Sequence, residues 1–269
     1  MLQAERQQRI LTLIEQRGVV NAHELSKELG ASLSTIRRDL FELESNRKLT
    51  RTHGGAISNA YSLSVEQSVN IKKDSFADEK KRIAQAAATF IKPGDTIILD
   101  SSTTVNAMTD YLSDIANLTV ITNDLLNVNR LSQCGNISLM TVGGLLRKGS
   151  YTHIGYFCER MLEEIHADVA FLGVDAVNSK AGAMICAQEG TRQKRLMVEA
   201  AAESIIVCDH SKFAAKALVS FCSIRNISKI ITCLLYTSNA GASLYVQSGD
   251  ERSLTFVRCD KGKALKQTA

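Results

Sequence analysis

Apolar residues recur at helical spacing near the start of the chain. Ile10, Leu13 and Ile14 form one stripe, which predicts a first helix stopped by Gly18. Asn21 can cap a short second helix, and Glu24 three residues on completes a capping-box pattern. After a tight turn at Gly30, the residues Leu33, Ile36, Leu40 and Leu43 step by three, four and three. A third helix therefore turns one apolar face onto the first two and leaves Ser34, Thr35, Arg37 and Arg38 pointing outward at its N-terminal end. "RKLTRTHGGAI" follows as two extended pieces around His53-Gly54-Gly55, where glycine supplies the positive φ of a tight hairpin. Three helices and a basic hairpin outline a winged helix-turn-helix over residues 1–57.

Residues 58–74 are polar and aperiodic and read as a moderately flexible linker. From residue 75 the pattern changes. "EKKRIAQAAATFI" reads as a helix, and five apolar runs read as buried strands: "TIILD" (96–100), "LTVIT" (118–122), "ISLMTV" (137–142), "DVAFLGV" (168–174) and "SIIVCD" (204–209). Helices are expected between them, from about Thr103, from Asp124, over 156–165 and over 189–203. This alternation predicts an α/β domain over 75–232 with a mainly parallel sheet covered on both faces.

The length of 269 residues suits one large domain or a small and a medium one, and 45% hydrophobic with 22% charged residues is enough to bury a core. A net charge of +4 is too mild to argue nucleic-acid binding globally, so the position of the charge must carry that reading. "MLQAERQQRILTLIEQRG" is charged throughout, unlike a signal peptide, and no run reaches the ~18–20 apolar residues of a membrane span. Seven scattered cysteines, an odd total without a C-x-x-C pair, fit reduced thiols in a cytoplasm better than disulfides or a zinc site. No metal site and no cofactor are expected. H-E-x-x-H, G-x-S-x-G, P-loop and G-x-G-x-x-G patterns are absent, so no enzyme class is signalled.

Two regions carry candidate chemistry. The N-terminal end of the third helix would enter a major groove, where Arg37 and Arg38 can bond guanine O6 and N7, with Ser32, Ser34 and Thr35 beside them. Lys48, Arg51 and His53 on the hairpin suit phosphate or minor-groove contacts. The second region is the set of strand ends. In "LDSSTTVNA" a strand hands Asp100 over to hydroxyls at a helix start, a place equally suited to an anion and to an ordinary cap. "VITND", "TVGG", "LGVDA" and "VCDHSKF" likewise follow strands, and Asp209, Ser211 and Lys212 offer an acceptor, a hydroxyl and a phosphate-pairing cation together. Convergence of these ends on one rim would make a site for a small anionic, hydroxylated ligand such as a phosphorylated sugar. His210, beside that rim, reads as a structural or hydrogen-bonding residue rather than a base.

The stretch "ERQQRILTLIEQRGVVNAHELSKELGASLSTIRRDLFELESNRKLTRTHGGA" closely resembles the DeoR family of bacterial sugar-metabolism regulators, with its "TIRRDL…L…L.R.HGGA" hallmark. The second half agrees through "K..IA..A", "GD.I.LDS.TT", "TN", "GG", "ADVAFLGVDA", "E…KR.M..AA" and "DHSKF". The resemblance covers residues 1 to about 232. It implies a repressor whose C-terminal domain is similar in fold to ribose-5-phosphate isomerase and glucosamine-6-phosphate deaminase, and which releases double-stranded operator DNA on sensing a phosphorylated sugar. Helix-turn-helix proteins commonly read paired half-sites, so a homo-oligomer is expected. Carried over by position, the effector site would draw on Asp100, Ser101, Ser102, Thr103, Thr104, Thr122, Asn123, Gly143, Gly144, Asp175, Asp209, Ser211 and Lys212.

Three departures from the family stand out. Ser102 occupies the glycine position of "DSGTT", and the stretch "AVNSKAGAMICAQEGTRQK" matches less well, leaving Glu189 and Lys194 as weaker site candidates. From residue 233 an atypical tail replaces the expected acidic turn, helix and final strand. Its "CLLYTS" can be encoded by TGTCTCTTATACACATCT, which resembles a transposon end used in sequencing-library preparation, so residues 233–269 are expected to be a translated junction rather than native sequence. Two rival readings remain open from sequence. One is a sugar-phosphate isomerase or deaminase-like enzyme carrying an N-terminal DNA-binding module, and the other is a regulator of a different effector.

Overall fold

The computed structural model describes residues 2–17, 19–46, 48–52, 54–58, 69–213, 215–233, 255–260 and 263–268. The chain divides into two compact units, residues 1–67 and 68–269.

The first unit runs α1 (Gln3–Arg17), β1 (Val19–Asn21), α2 (Ala22–Glu28), α3 (Leu33–Ser45), β2 (Leu49–Thr52) and β3 (Gly55–Ser58). The periodic residues meet as expected: Ile10, Ile14, Leu25, Ile36, Leu40 and Leu43 share one buried cluster with Leu49. Asn21 caps α2 by accepting from the His23 N–H at 2.7 Å. The expected hairpin forms, β2 pairing antiparallel with β3, and β1 adds a third strand to it in the order β1-β3-β2. Three residues are too few to display alternation, and β1 forms because Gly55 lets it approach. A Cβ at Gly55 would overlap the Val20 carbonyl oxygen. Asp39, inside the "RRDL" motif, is buried and accepts from Arg6 Nε at 2.5 Å and Nη2 at 3.2 Å, tying α3 to α1.

The second unit begins within the segment expected to be linker. Val69–Asp74 is a helix, α4, followed by α5 (Ala77–Ala88). Then come β4 (Thr96–Leu99), α6 (Thr103–Asn106), β5 (Leu118–Thr122), α7 (Leu125–Leu131), β6 (Ile137–Thr141), a hairpin of β7 (Leu145–Arg147) and β8 (Thr152–Ile154), and α8 (Tyr156–Glu163). The chain continues through β9 (Ala167–Leu172), β10 (Ala176–Asn178), β11 (Gly182–Ile185), α9 (Thr191–Ala200), β12 (Ala201–Val207), β13 (Val219–Cys222) and β14 (Lys229–Thr232). Two strands of the tail, β15 (Thr255–Asp260) and β16 (Lys263–Thr268), complete the described elements.

The main sheet has the order β16-β15-β14-β12-β9-β4-β5-β6 and is parallel except for β16. Its strands alternate between two cores. Ile97, Leu99, Phe171, Ile205 and Val207 pack with Ile83 and Ala87 of α5, whereas Ile98, Ala170, Leu172 and Ile206 pack with Leu162 of α8 and Met197 of α9. The helix expected over 189–203 is shorter. It gives way at Ala201, where the parallel ladder with β9 (Ala201 opposite Ala167) overrides the helical preference of the alanines. Residues 234–254 of the tail lie outside the described residues, while β15 continues the sheet beside β14.

Candidate functional site

The outward end of α3 is built by its own cap. Ser32 Oγ accepts from the Thr35 N–H at 3.2 Å and lies 2.9 Å from Ser34 Oγ and 2.7 Å from Thr35 Oγ1. Buried Ile36, Asp39 and Leu40 hold the helix down, and Arg37 and Arg38 stand exposed on the first turns beside the hydroxyl cluster. Lys48 is exposed just before β2, and His53 lies outside the described residues. Arg51 on β2 is folded back onto α3. Its guanidinium lies 5.6 Å from the Phe41 ring centroid and 3.8 Å from Glu44, which also accepts the Arg51 N–H at 2.9 Å. Phe41 and Glu44 thus latch the wing to the helix, a pairing that sequence spacing alone does not reveal.

In the second unit, strand register brings the predicted ends together. Leu99 pairs with Thr122 and Phe171, Thr122 with Thr141, and Leu172 with Ile206, so these parallel strands finish along one rim. The chain leaves β4 toward β5 on one side, and β9 returns on the other side of β4. The rim between β4 and β9 is therefore a topological switch point, where open α/β sheets leave a crevice.

Asp100 sits in that crevice, buried, and its Oδ2 accepts from the Gly173 N–H at 2.9 Å and from Lys194 Nζ. Lys194 also donates to the Gly173 carbonyl at 2.9 Å. The Asp100 carboxylate is thus occupied by protein groups. Ser102 caps α6 by accepting from the Val105 N–H at 3.1 Å, with Ser101 and Thr103 partly exposed beside it and Thr104 buried. Ser102 lies so close to Gly173 that a Cβ there would overlap its side chain.

Asp175 is held by Lys72 of α4, whose Nζ is 2.9 Å from Oδ1, and by the Cys186 N–H, 2.9 Å from Oδ2. Burial pushes this carboxyl up, but the Lys72 charge and these hydrogen bonds outweigh it and hold the pKa down at about 2. Asp209 accepts from the Ser211 N–H at 3.0 Å and its hydroxyl at 2.5 Å. Lys212 lies close enough to act on the titration of both Asp175 and Lys80. Lys80 of α5 donates to the carbonyls of Lys72 and Ser75 (2.7 Å to the latter). Burial lowers its pKa to about 8 against the opposing pull of Asp209.

Thr122 is a clamp inside the sheet: its hydroxyl donates to the Leu99 carbonyl at 2.7 Å and accepts from Asn127. Asn123 Nδ2 donates to the His153 carbonyl at 3.0 Å, while its buried Oδ1 has no partner among the described residues. Gly144 packs against Ile154 and Cys158 at φ +156°, and Gly143 has open space about it. Glu189 is exposed and pairs with Arg147 at 3.3 Å. His210 stacks edge-on against Phe76 and lies 3.5 Å from Cys233 Sγ, a packed position.

Lys72 and Lys80 are the cations that the sequence reading missed. Lys72 falls in the segment read as linker. Lys80 had a signal: with Ile83, Ala84 and Ala87 it occupies the buried face of an amphipathic helix, where a lysine needs a reason. Among the described residues no group of three or more His, Cys, Asp or Glu could hold a metal ion. Burial raises the thiol of Cys158 to about 11 and that of Cys222 to about 12, so neither is an activated nucleophile. No helix of the described residues is long and apolar enough to cross a membrane.

Comparison with known proteins agrees with this arrangement. The family described as "DeoR-like helix-turn-helix domain" matches residues 6–61, and "DeoR C terminal sensor domain" matches residues 75–233. The chain is 36% identical to the HTH-type transcriptional regulator YulB of Bacillus subtilis over 86% of this chain and 89% of the relative. It is 32% identical to the glycerol-3-phosphate regulon repressor of Escherichia coli over 86% and 91%, and 32% identical to the HTH-type transcriptional repressor GlcR of Bacillus subtilis over 93% and 99%. Ribose 5-phosphate isomerase A of Methanocaldococcus jannaschii is 21% identical over 51% of this chain and 55% of that one, at a TM-score of 0.39, too low to carry an argument. With its outward-facing α3, its rim of converging strand ends and both family domains in place, the chain belongs to the DeoR family of helix-turn-helix transcriptional regulators.

Proposed function

We propose that the protein represses a sugar-catabolism operon and leaves its operator when a phosphorylated sugar occupies the rim between β4 and β9. The observation that carries this reading is the buried cation Lys80. Lys194 is matched by Asp100 and Lys72 by Asp175, while Asp209 is engaged by Ser211. Among the described residues Lys80 donates to the neutral carbonyls of Lys72 and Ser75, and burial disfavours its charge. With Lys212 nearby it makes a place where a phosphate would restore lost solvation. The name of the glycerol-3-phosphate regulon repressor points to the same class of ligand.

The residues proposed to meet the effector are Ser101, Ser102, Thr103, Thr104, Asn123, Gly143, Gly144, Ser211 and Lys212, with Lys80 and Lys72 added. Asp100, Thr122, Asp175 and Asp209 shape the rim through the bonds described above. Ser32, Ser34, Thr35, Arg37 and Arg38 are proposed to read operator DNA, with Lys48, Arg51 and His53 on its backbone. An effector that engages Lys72 and Lys80 acts on α4 and α5, the first helices after the winged helix-turn-helix, and so has a route to bias the DNA-binding state.

The enzyme reading is disfavoured because Asp100 and Asp175 are each paired with a lysine, which leaves neither poised as a proton-abstracting base. A homo-oligomer in the cytoplasm completes the proposal. The test is thermal-shift titration with phosphorylated sugars, the matching free sugars and nucleotides, together with an assay for turnover. Stabilisation by phosphorylated sugars alone, lost in Lys80→Met, is the expected result. Equal stabilisation by free sugars, or turnover of a sugar phosphate, contradicts it.

A further inference from the structure

The latch between β2 and α3 bears on how the winged helix-turn-helix would hold DNA. Phe41 lies four residues after Arg37 and three after Arg38, so its ring continues the outward row of α3 that those two arginines begin. The ring is 57% exposed, outside the core that its sequence neighbours Leu40 and Leu43 enter. On β2, alternation puts Arg51 on the same face as buried Leu49, which packs with those leucines of α3. Arg51 is thereby drawn over Phe41, its guanidinium carbon 5.6 Å from the ring centroid.

Charge alone does not fix that guanidinium. Its ion pair with Glu44 is long, 3.8 Å, and the two side chains are 36% and 40% exposed, so solvent screens the attraction. Glu44 acts on the strand as well. β2 is an outer strand of the order β1-β3-β2, and its Arg51 N–H is accepted by Glu44 Oε1 at 2.9 Å. The carboxylate holds the backbone of Arg51, and the ring holds its head.

We propose that Phe41 is a positioning residue for DNA binding, which together with Glu44 holds Arg51 ready for a phosphate of the backbone. An unrestrained arginine loses rotamer freedom when it clamps a phosphate, and here part of that loss is already met on folding. A phosphate, with its full charge and bidentate geometry, replaces the screened Glu44 pair while the ring keeps the guanidinium in place. Such a contact is blind to base sequence, unlike those proposed for Arg37 and Arg38. The inference rests on the DNA-binding reading, but the two fail in different variants.

The test is fluorescence anisotropy of the full chain on two duplexes over a series of salt concentrations. One duplex comes from the protein's own upstream region, and the other has the same composition in shuffled order. Arg51→Met is expected to weaken binding to both duplexes and to reduce the salt slope by about 1. Phe41→Leu should weaken both by roughly three- to tenfold at an unchanged thermal midpoint, and Phe41→Tyr, which keeps a ring, should recover most of that loss. If Phe41→Leu fails to fold, Phe41→Met carries the same comparison. In an Arg51→Met background Phe41→Leu should weaken binding no further, a result that a merely structural ring does not give. The full Phe41→Leu loss in that background, wild-type affinity in Arg51→Met, or a loss confined to the upstream duplex overturns the proposal. In those cases Arg37→Ala/Arg38→Ala still reports whether α3 reads DNA. A wild type that binds neither duplex overturns the DNA-binding reading and the proposal with it.

Discussion

Lys72 Nζ donates to Asp175 Oδ1 at 2.9 Å, which fastens the helix opening the second unit to the loop after β9. Both side chains are mostly buried, at 19% and 16% exposure, so solvent screens the pair weakly. The contact spans more than a hundred residues of sequence. Through it, α4 is tied to the rim of converging strand ends.

That pair sets an acid limit on stability. The Asp175 carboxyl is lowered from 3.8 to about 2 in the folded chain. Its contribution is present above the unfolded value and disappears as pH falls from about 4 to about 2, amounting to about 2 kcal/mol. Thermal melts of wild type and Lys72→Met across that range should show a gap near neutral pH that closes toward pH 2. A gap that persists unchanged at the acid end contradicts the assignment.

Lys80 predicts a basic limit on effector binding. Its pKa is lowered to about 8, so the unliganded folded chain gains stability as pH rises from about 8 toward 10.5, where the unfolded state still holds the proton. A phosphate beside Lys80 raises its pKa again, so binding takes up a proton above pH 8. Affinity for the sugar phosphate should be flat below that pH and fall by up to ~tenfold per unit above it. Calorimetric titration in buffers of different ionisation enthalpy measures the proton uptake, and Lys80→Met should abolish it.

Gly173 and Ser102 form a size-matched pair. Gly173→Ala places a Cβ into the Ser102 side chain and should cost ~1–3 kcal/mol by overpacking. Adding Ser102→Gly, which makes the room, should return most of that loss in denaturant unfolding. Additive damage in the double variant would show that the two positions do not share this space.

The sequence from 233 onward has its own test. The sensor-domain match ends at residue 233, where "CLLYTS" begins. Resequencing the locus is expected to find a break at Cys233, and an uninterrupted natural reading frame through it would refute the junction.

The strongly patterned parts of the fold were legible in the sequence. The three-four-three spacing from Leu33 to Leu43 specifies α3 and leaves Arg37 and Arg38 no place but the surface. The apolar runs around Ile98, Ile121 and Ile206 read directly as strands covered on both faces. Partners remote in sequence were not legible. β1 is three residues long, α4 is polar and fixed by Asp175, and buried Asp39 is explained only by Arg6, thirty-three residues away. A carboxylate after a strand reads alike whether it binds a ligand or braces a loop. In this structure Asp100 accepts from the Gly173 N–H and from Lys194, partners that its place in the sequence did not disclose.

The most direct measurement is fluorescence anisotropy on DNA from the protein's own upstream region, with wild type and Arg37→Ala/Arg38→Ala, titrated with phosphorylated sugars. Wild type should bind specifically and be released by one of these sugars, and the double variant should lose ~1–3 kcal/mol for each base contact removed. Undiminished affinity in the double variant, or wild-type binding that no phosphorylated sugar alters, would contradict the account.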